Sequence, residues 1–328
     1  MIPGTATARA FPNIALIKYW GNRDHALRIP ANSSLSMNMD GLQTTTTVTF
    51  DASPHADAVV LDGVEQSGAA KERVVRVLDR VRSIARIDAY AHIDSRNNFP
   101  AGAGLASSAS GFAALAVASA AAAGLQLDEA SLSRLARLGS GSAARSVPGG
   151  YVEWQAGVDD ASSFAFSIAA PEHWDLRDAI AIVDVTHKSV GSTQGHTLAD
   201  SSPLHQARVA TIPERLRLVK EALLARDFAK MAPLVEADAL AMHAVMMTSE
   251  PPLLYWQPAT LAIIHAVRTW RAEGLPVCFT IDAGANVHCV CESHAADEVR
   301  DRLQRIAGVQ EVLLVRPGAA AHVIDRLS

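Results

Sequence analysis

The segment NNFPAGAGLASSASGFAALA, residues 97–116, decides the fold because it joins a predicted strand to a predicted helix through a loop of small residues. Gly102 and Gly104 permit positive φ and a close approach of the backbone to a ligand. Ser107 and Ser108 stand at the start of the helix, where free N–H groups and the helix dipole favour an anion. The segment is therefore a candidate phosphate loop. A purely structural turn is the alternative that the loop alone leaves open.

Two common nucleotide motifs do not fit this loop. It lacks the GxxxxGK[ST] pattern with its lysine, and no strand ending in an acid follows the helix as a dinucleotide fingerprint requires.

Outward from the loop, the first 65 residues alternate as in strands, and residues 70–85 have helical spacing. Residues 179–185 read as a buried strand, and 193–273 are largely helical. Strands then surround one helix at about 295–306, so the fold class is α+β.

The composition excludes several classes of protein. Of the 328 residues 49% are hydrophobic and 19% charged, so a folded core is expected and disorder is not. A net charge of -5 and 5% aromatic residues give no general attraction for nucleic acid or anionic lipid. The N-terminus has no signal-peptide pattern. The uncharged run at 97–127 is rich in glycine, alanine and serine, which predicts a buried helix and not a membrane span.

Cysteine and histidine usage argues against disulfides and zinc. The three cysteines, Cys278, Cys289 and Cys291, are too few and too irregular for a disulfide framework or a zinc ribbon. We predict that they are buried free thiols, which fits a reducing cytoplasm. The twelve histidines contain no HExxH motif, so a zinc hydrolase is not expected.

Five dispersed segments resemble one family. The phosphate loop is similar to that of the GHMP superfamily, which contains galactokinase, homoserine kinase, mevalonate kinase and phosphomevalonate kinase. Within it, the signature segments of mevalonate diphosphate decarboxylases are similar in order and spacing to NIALIKYWGNRD (13–24), PANSSLSM (30–37), the loop segment (97–116), RLGSGSAARSVPGGYVEW (137–154) and DAGANVH (282–288). The resemblance covers essentially the whole chain.

The resemblance implies a fold, a reaction and cofactors. The fold is a two-lobed small-molecule kinase type, with a ribosomal-protein-S5-like, ATP-binding lobe at 1–178 and an α/β sandwich lobe at 179–328. In the family reaction ATP phosphorylates the C3 hydroxyl of mevalonate 5-diphosphate. Loss of that phosphate and of CO2 then gives isopentenyl diphosphate. ATP and Mg²⁺ are the implied cofactors, and we assign no protein ligand to the metal.

Three residues match the family's catalytic positions. By resemblance Asp282, in VCFTIDAG, is the catalytic base, although an Asp near a glycine is by itself more often a turn former. Lys18 lies in the apolar run IALIKYWG, predicted as a strand, where a lysine is costly unless it is paired or lines a site. Arg145 closes a small-residue loop, and the resemblance implies that its planar guanidinium orients the substrate carboxylate. A surface arginine is the alternative.

The resemblance also implies two sets of binding residues. Predicted substrate-binding residues are Tyr19, Asn22, Arg73, Ser140, Gly141, Ser142, Arg145 and Thr193, the last with Ser192 in the segment GSTQG. Predicted ATP-binding residues are Pro100, Gly102, Gly104, Leu105, Ser107 and Ser108. For Arg73 alone, a solvated helix charge is an equally good interpretation.

Asn22 departs from the family pattern. The family segment usually reads Lys-Tyr-Trp-Gly-Lys, and here the second lysine, which pairs with the substrate diphosphate, is Asn22. Relatives that decarboxylate 5-phosphomevalonate also lack this lysine, so the substrate is the diphosphate or the monophosphate. Arg23 is a candidate to compensate, but neighbouring strand residues face opposite ways.

Two other functions remain open from the sequence. A small-molecule kinase would phosphorylate a mevalonate-type substrate without releasing CO2, and a non-catalytic nucleotide-binding regulator would bind ATP without turnover. Retention of Asp282, Lys18 and Arg145 together favours the decarboxylase. We further expect a cytoplasmic homodimer in the mevalonate pathway of isoprenoid biosynthesis, a small-molecule substrate, and no nucleic-acid or membrane partner.

Overall fold

The computed structural model describes residues 4–53, 55–99, 106–185 and 190–327. Its strands are β1 (Thr5–Ala10), β2 (Asn13–Ile17), β3 (Asn22–Asp24), β4 (Ile29–Pro30), β5 (Ser34–Asp40), β6 (Thr44–Asp51), β7 (Ala58–Leu61), β8 (Val64–Glu65), β9 (Tyr90–Asn97), β10 (Tyr151–Trp154), β11 (Ala165–Ala169), β12 (Leu176–Ile182), β13 (Val277–Thr280), β14 (Val287–Glu292), β15 (Glu311–Pro317) and β16 (His322–Leu327). Its α-helices are α1 (Gly68–Ala85), α2 (Ser107–Ala122), α3 (Glu129–Gly139), α4 (Ser192–Leu198), α5 (His205–Leu224), α6 (Phe228–Met247), α7 (Pro258–Ala272) and α8 (Ala296–Gln304). The predicted α+β class is confirmed.

The first sheet has six strands in the order β16-β1-β6-β9-β7-β8. In β6 every second residue is buried, and Val48 and Phe50 join the core beneath helices α1, α2 and α3. The small residues of α2 allow it to be buried on nearly all sides, with Phe112 and Leu115 packed into the same core. The predicted buried helix therefore exists, and its N-terminus, at Ser107, faces the functional cleft described below.

The second sheet has eight strands, in the order β11-β10-β5-β15-β12-β14-β13 with β2 also paired to β5. Both faces of its central strands are covered. In β12, Ile180 and Ile182 pack in the core with α5 and α6, while Ala179 and Ala181 pack on the opposite face with α7 and α8. This two-sided burial explains why the strand reads as a continuous apolar run.

The three cysteines belong to the strands of this sheet. Cys278 packs on one face, and Cys289 and Cys291 pack on the other. All three are free and buried, so the prediction of buried free thiols is confirmed.

Two strands depart from the sequence expectation. β12 covers Leu176–Ile182 and not 179–185. It begins earlier than expected because Leu176 and Arg177 already pair with β14. Beyond Ile182, the N–H groups of Val183 and Asp184 both donate to the Asn286 side chain, which replaces the ladder there. The last strand, β16, pairs antiparallel with β1 and was not predicted.

The predicted lobe boundary at 178/179 falls inside β12, and the division into lobes remains a prediction. Within the described ranges, no helix combines the length and the apolar character needed to cross a bilayer.

Candidate active site

One cleft of about 670 Å³ collects most of the predicted site residues, a volume within the range of small-molecule sites. Its walls come from widely separated parts of the chain: Lys18, Tyr19, Arg28, Arg73, Ser107, Ser108, Ser140, Gly141, Ser142, Arg145, Ser192, Thr193, His196 and Asp282, with further residues between them. The predicted loop residues Pro100, Gly102, Gly104 and Leu105 lie outside the described residues.

At the centre of the cleft Lys18 is paired with Asp282. Lys18 Nζ lies 2.6 Å from Asp282 Oδ1; the lysine side chain is 1% exposed and the aspartate side chain 34% exposed. Burial opposes ionisation of Asp282, but the charge and hydrogen bond of Lys18 and the charge of Arg145 hold the pKa of this carboxyl below its ordinary value. The cleft therefore contains an ionised carboxylate that is fixed by a lysine and still partly open.

Lys18 stands just beyond the strand in which it was expected, and Asp282 follows the end of a strand. β2 ends at Ile17, and β13 ends at Thr280, two residues before Asp282. β2 stops before Lys18 because the Lys18 N–H donates to the Asp238 side chain, at 2.6 Å, and not to a neighbouring strand.

Helix α6 holds the backbone of both partners. Asp238 accepts from the Lys18 N–H, and His243 Nε2 donates to the Asp282 carbonyl oxygen at 3.1 Å. Burial lowers the pKa of His243 to about 4, so the ring is neutral and its one N–H serves this bond. Because the two side chains are five residues apart on one helix, α6 fixes the Lys18–Asp282 distance.

The Lys18 carbonyl is held from the other side. Arg208 Nη2 and Asn32 Nδ2 donate to it at 2.8 and 2.9 Å, and Arg208 Nη1 also bonds the Asn32 oxygen. Asp238 in turn lies 2.9 Å from Arg215. Lys18 is thus held at its N–H and at its carbonyl as well as at its ammonium group.

Arg145 is a buried cation beside this pair. It is 3% exposed, and it donates through Nε to Asn13 at 3.2 Å and through Nη1 to Ser34 at 2.6 Å. Burial lowers its pKa to about 10, opposed by the Asp282 charge. Among the described residues it forms no ion pair, so it can receive a ligand carboxylate or phosphate.

The serine loop and the start of α2 meet on one wall. Ser140 Oγ lies 3.3 Å from Ser108 Oγ and 3.4 Å from Ser142 Oγ, at the point where α3 gives way to a 3₁₀ segment. At Gly141 a Cβ atom would lie 2.6 Å from the Tyr19 ring, so only glycine allows this close approach. The loop therefore presents hydroxyl groups to the cleft, as an anion site requires.

Tyr19 is locked in place by aromatic and polar neighbours. Its ring stacks on His196 with centroids 4.1 Å apart, and its hydroxyl donates to Asn22 Oδ1 at 2.5 Å. Burial raises the pKa of Tyr19 to about 12, so the hydroxyl stays protonated. Asn22 lies behind Tyr19: it is buried and is not among the described residues that line the cleft.

Several residues of the site were not anticipated. Arg28 and His196 line the cleft, and Asp238 and His243 hold the central pair. His196 follows GSTQG directly, and Arg28 lies two residues before PANSSLSM, so their closeness to the quoted segments was a usable signal. Arg23, considered as compensation for Asn22, instead donates to the carbonyls of Pro30 and Gly157.

The fold and the cleft define a class: an α+β enzyme whose site suits a phosphorylated small molecule. The site has an ionised carboxylate, a serine loop and guanidinium groups that form no ion pair within the described part of the chain. Family models narrow the class. The Diphosphomevalonate decarboxylase-like N-terminal domain matches residues 10–165, and the Mevalonate 5-diphosphate decarboxylase C-terminal domain matches 179–316. The chain belongs to the diphosphomevalonate decarboxylase family.

Individual relatives agree with this assignment. The diphosphomevalonate decarboxylase of Ganoderma lucidum is 40% identical over 86% of this chain and 76% of its own. The phosphomevalonate decarboxylase of Haloferax volcanii is 37% identical over 98% of each chain. A solved structure, MDDEF in complex with MVAPP, AMPPCP and magnesium, superimposes with a TM-score of 0.92 at 38% identity over 98% of this chain and 99% of that one.

Proposed function

We propose that this protein catalyses the ATP-dependent decarboxylation of mevalonate 5-diphosphate or mevalonate 5-phosphate. The products are isopentenyl diphosphate or isopentenyl phosphate, ADP, phosphate and CO2. The observation that carries the proposal is the Lys18–Asp282 pair, set in a cleft whose cations Arg28, Arg73 and Arg145 form no ion pair with a carboxylate among the described residues. The names of the relatives agree with it.

In the first step we assign Asp282 to the C3 hydroxyl group. The hydroxyl proton passes to the carboxylate as the C3 oxygen attacks the γ-phosphorus, and the bond from that phosphorus to the ADP oxygen breaks. A carboxylate with a lowered pKa is a weak base, but phosphoryl transfer depends mainly on alignment and on charge stabilisation. Lys18 fixes the carboxylate and offsets its charge.

In the second step we assign Arg145 to the substrate carboxylate. The C3–O bond breaks with phosphate leaving, and the bond between C2 and the carboxylate carbon breaks with CO2 leaving. The electron pair of that carbon–carbon bond becomes the new double bond. A guanidinium held by Asn13 and Ser34 can orient the carboxylate plane for this loss.

The remaining polar residues are assigned to phosphate groups. For the substrate phosphates we propose Tyr19, Asn22, Arg73, Ser140, Gly141, Ser142 and Thr193. For ATP we propose Ser107 and Ser108 with the loop residues Pro100, Gly102, Gly104 and Leu105. The cleft-lining positions of the described members support these roles. Asn22 is the exception: it is not among the described residues that line the cleft, and it accepts a hydrogen bond from the Tyr19 hydroxyl.

Mg²⁺ would enter with the nucleotide. The cleft offers the hydroxyls of Ser107 and Ser108 near the expected triphosphate, and Mg²⁺ commonly takes few protein oxygens beside phosphate oxygens. Among the described residues no group of three His, Cys, Asp or Glu side chains could hold a metal ion. The residues therefore fit an ion held chiefly by phosphate, whose role when bound is to neutralise phosphate charge.

We also propose the two-lobe division at 178/179, a homodimer and a cytoplasmic location. The family resemblance supports the first two. The three buried free thiols are compatible with a reducing compartment.

The test is a panel of mevalonate, mevalonate 5-phosphate and mevalonate 5-diphosphate, each labelled with ¹⁴C in the carboxyl group. Release of ¹⁴CO2 with ATP and Mg²⁺ from either phosphorylated substrate is the expected result. ADP formation without ¹⁴CO2 would make the protein a kinase, and ATP binding without turnover would make it a regulator.

A further inference from the structure

Arg28 and Arg73 bring two guanidinium groups to the end of α3. Arg28 Nε donates to the Leu138 carbonyl at 3.2 Å, and Arg73 Nε and Nη2 donate to the Gly139 carbonyl at 3.0 and 2.9 Å. These carbonyls belong to consecutive residues at the negative end of the helix dipole, which attracts cations. Both arginines line the cleft beside the serine loop.

Neither Arg28 nor Arg73 forms an ion pair with a carboxylate in the ranges that the structure describes, and Arg28 is 7% exposed. Burial, together with the nearby charges of Arg28 and Arg76, lowers the pKa of Arg73 to about 10. Two guanidinium groups that repel each other in a buried wall are stabilised when an anion binds between them.

The backbone of Arg28 is itself unusual. Its φ is 53°, in the left-handed region that non-glycine residues seldom adopt. Such residues are concentrated at ligand clamps and active sites, where surrounding contacts hold them. Here Arg28 ends the turn between β3 and β4 and precedes Ile29, the first residue of β4.

Arg28 lies close to the position of the missing lysine. Asn22 pairs with Pro30 across the β3–β4 hairpin, two residues from Arg28. The charge of Arg28 also acts on the Tyr19 hydroxyl, which bonds Asn22. The absence of a lysine at residue 22 therefore does not leave this wall without a second cation.

We propose that Arg28, together with Arg73, binds the terminal phosphate of a diphosphate ester, so that Arg28 makes the cleft select mevalonate 5-diphosphate over mevalonate 5-phosphate. The inference rests on the proposed function and names its specificity determinant. Among the described residues, Arg28 donates a hydrogen bond to the protein only through Nε. Its two Nη groups therefore remain for two parallel hydrogen bonds to phosphate.

The test compares Arg28→Gln with Arg23→Gln. Glutamine removes the charge in both variants, but Arg23 is exposed and bonded to Pro30 and Gly157, on the same hairpin and outside the cleft. In Arg28→Gln we expect kcat/KM for the diphosphate to fall about 10- to 100-fold, as for loss of a charged hydrogen bond. For the monophosphate we expect kcat/KM to fall less than about threefold, because that ligand has no terminal phosphate for Arg28 to contact. Arg23→Gln should change neither value appreciably.

Equal losses on both substrates in Arg28→Gln, or no loss on the diphosphate, would overturn the inference while leaving decarboxylation intact. Absence of ¹⁴CO2 from wild-type protein would instead refute the proposed function. In that case the affinities of wild type and Arg28→Gln for the two ligands, measured by calorimetry, decide the role of Arg28. The affinity for the diphosphate relative to that for the monophosphate should still be lower in Arg28→Gln than in wild type. If Arg28→Gln does not fold, Arg28→Lys serves, and an unchanged ratio in that variant overturns the inference.

Discussion

Removing the two partners of the Lys18–Asp282 pair one at a time should destabilise the protein unequally. Asp282→Asn leaves a lysine that is 1% exposed without its nearest counter-charge, whereas Lys18→Met leaves a carboxylate that is 34% exposed and can be hydrated. Breaking a buried pair costs about 3–5 kcal/mol. We expect about 3 kcal/mol for Asp282→Asn, since Asp238 remains near, and about 1 kcal/mol for Lys18→Met, as for an exposed charge.

The same asymmetry gives a pH dependence of known sign. Burial lowers the pKa of Lys18, and Asp282 is the largest opposing influence, so Asp282→Asn should lower that pKa further. The unfolded chain then binds the proton more tightly than the folded protein, and the free energy of unfolding rises with pH up to the ordinary lysine pKa of 10.5. The stability gap between Asp282→Asn and wild type should therefore narrow from pH 7 toward pH 10.

Urea unfolding followed by circular dichroism measures both the unequal destabilisation and its pH dependence. Measuring kcat of the same variants tests the catalytic role of Asp282. Asp282→Asn should bind substrate nearly normally and lose about 10²- to 10⁴-fold in kcat, as for removal of a general base. A Lys18→Met protein less stable than Asp282→Asn at pH 7 would refute the charge argument. Near wild-type kcat in Asp282→Asn would remove that residue from the mechanism.

Three further substitutions test the walls of the cleft. Ser108→Ala removes a hydroxyl donor and should weaken ATP binding about 5- to 10-fold by fluorescence titration, with little change in substrate KM. Gly141→Ala forces a Cβ to 2.6 Å from Tyr19, so substrate KM should rise at least tenfold while ATP affinity holds; an unchanged KM would mean that the loop does not contact substrate. Asn22→Lys should change the diphosphate preference less than about threefold, because Arg28 already supplies the cation; a tenfold gain would return the specificity to residue 22.

Local sequence patterns predicted the elements that depend on local periodicity. The helix expected at 70–85 is α1, Gly68–Ala85, and the helical block at 193–273 contains α4 to α7. β16 was not predicted, because its six residues are all exposed and no alternation of buried apolar residues marks it. Its partner, β1, is also distant in sequence, so no local pattern indicates the pairing.

Site residues could be predicted where they lie inside one of the five family-like segments. Lys18, Asp282 and Arg145, each in a quoted segment, line one cleft, and their catalytic roles remain predictions. Asp238 and His243 could not be found in this way, because their roles come from tertiary contacts: Asp238 accepts from a backbone N–H 220 residues away, and His243 donates to a backbone carbonyl 39 residues away. Arg23 is the sequence neighbour of Asn22, but Arg28 is the cation of this hairpin that lines the cleft, and only the pairing of β3 with β4 brings it close to Asn22.

The central claim is best tested by counting CO2 and ADP in one reaction of the wild-type protein with ATP, Mg²⁺ and mevalonate 5-diphosphate. We predict one CO2 released for each ADP formed throughout the time course. ADP accumulating without CO2, or neither product appearing, would contradict the proposed decarboxylase activity.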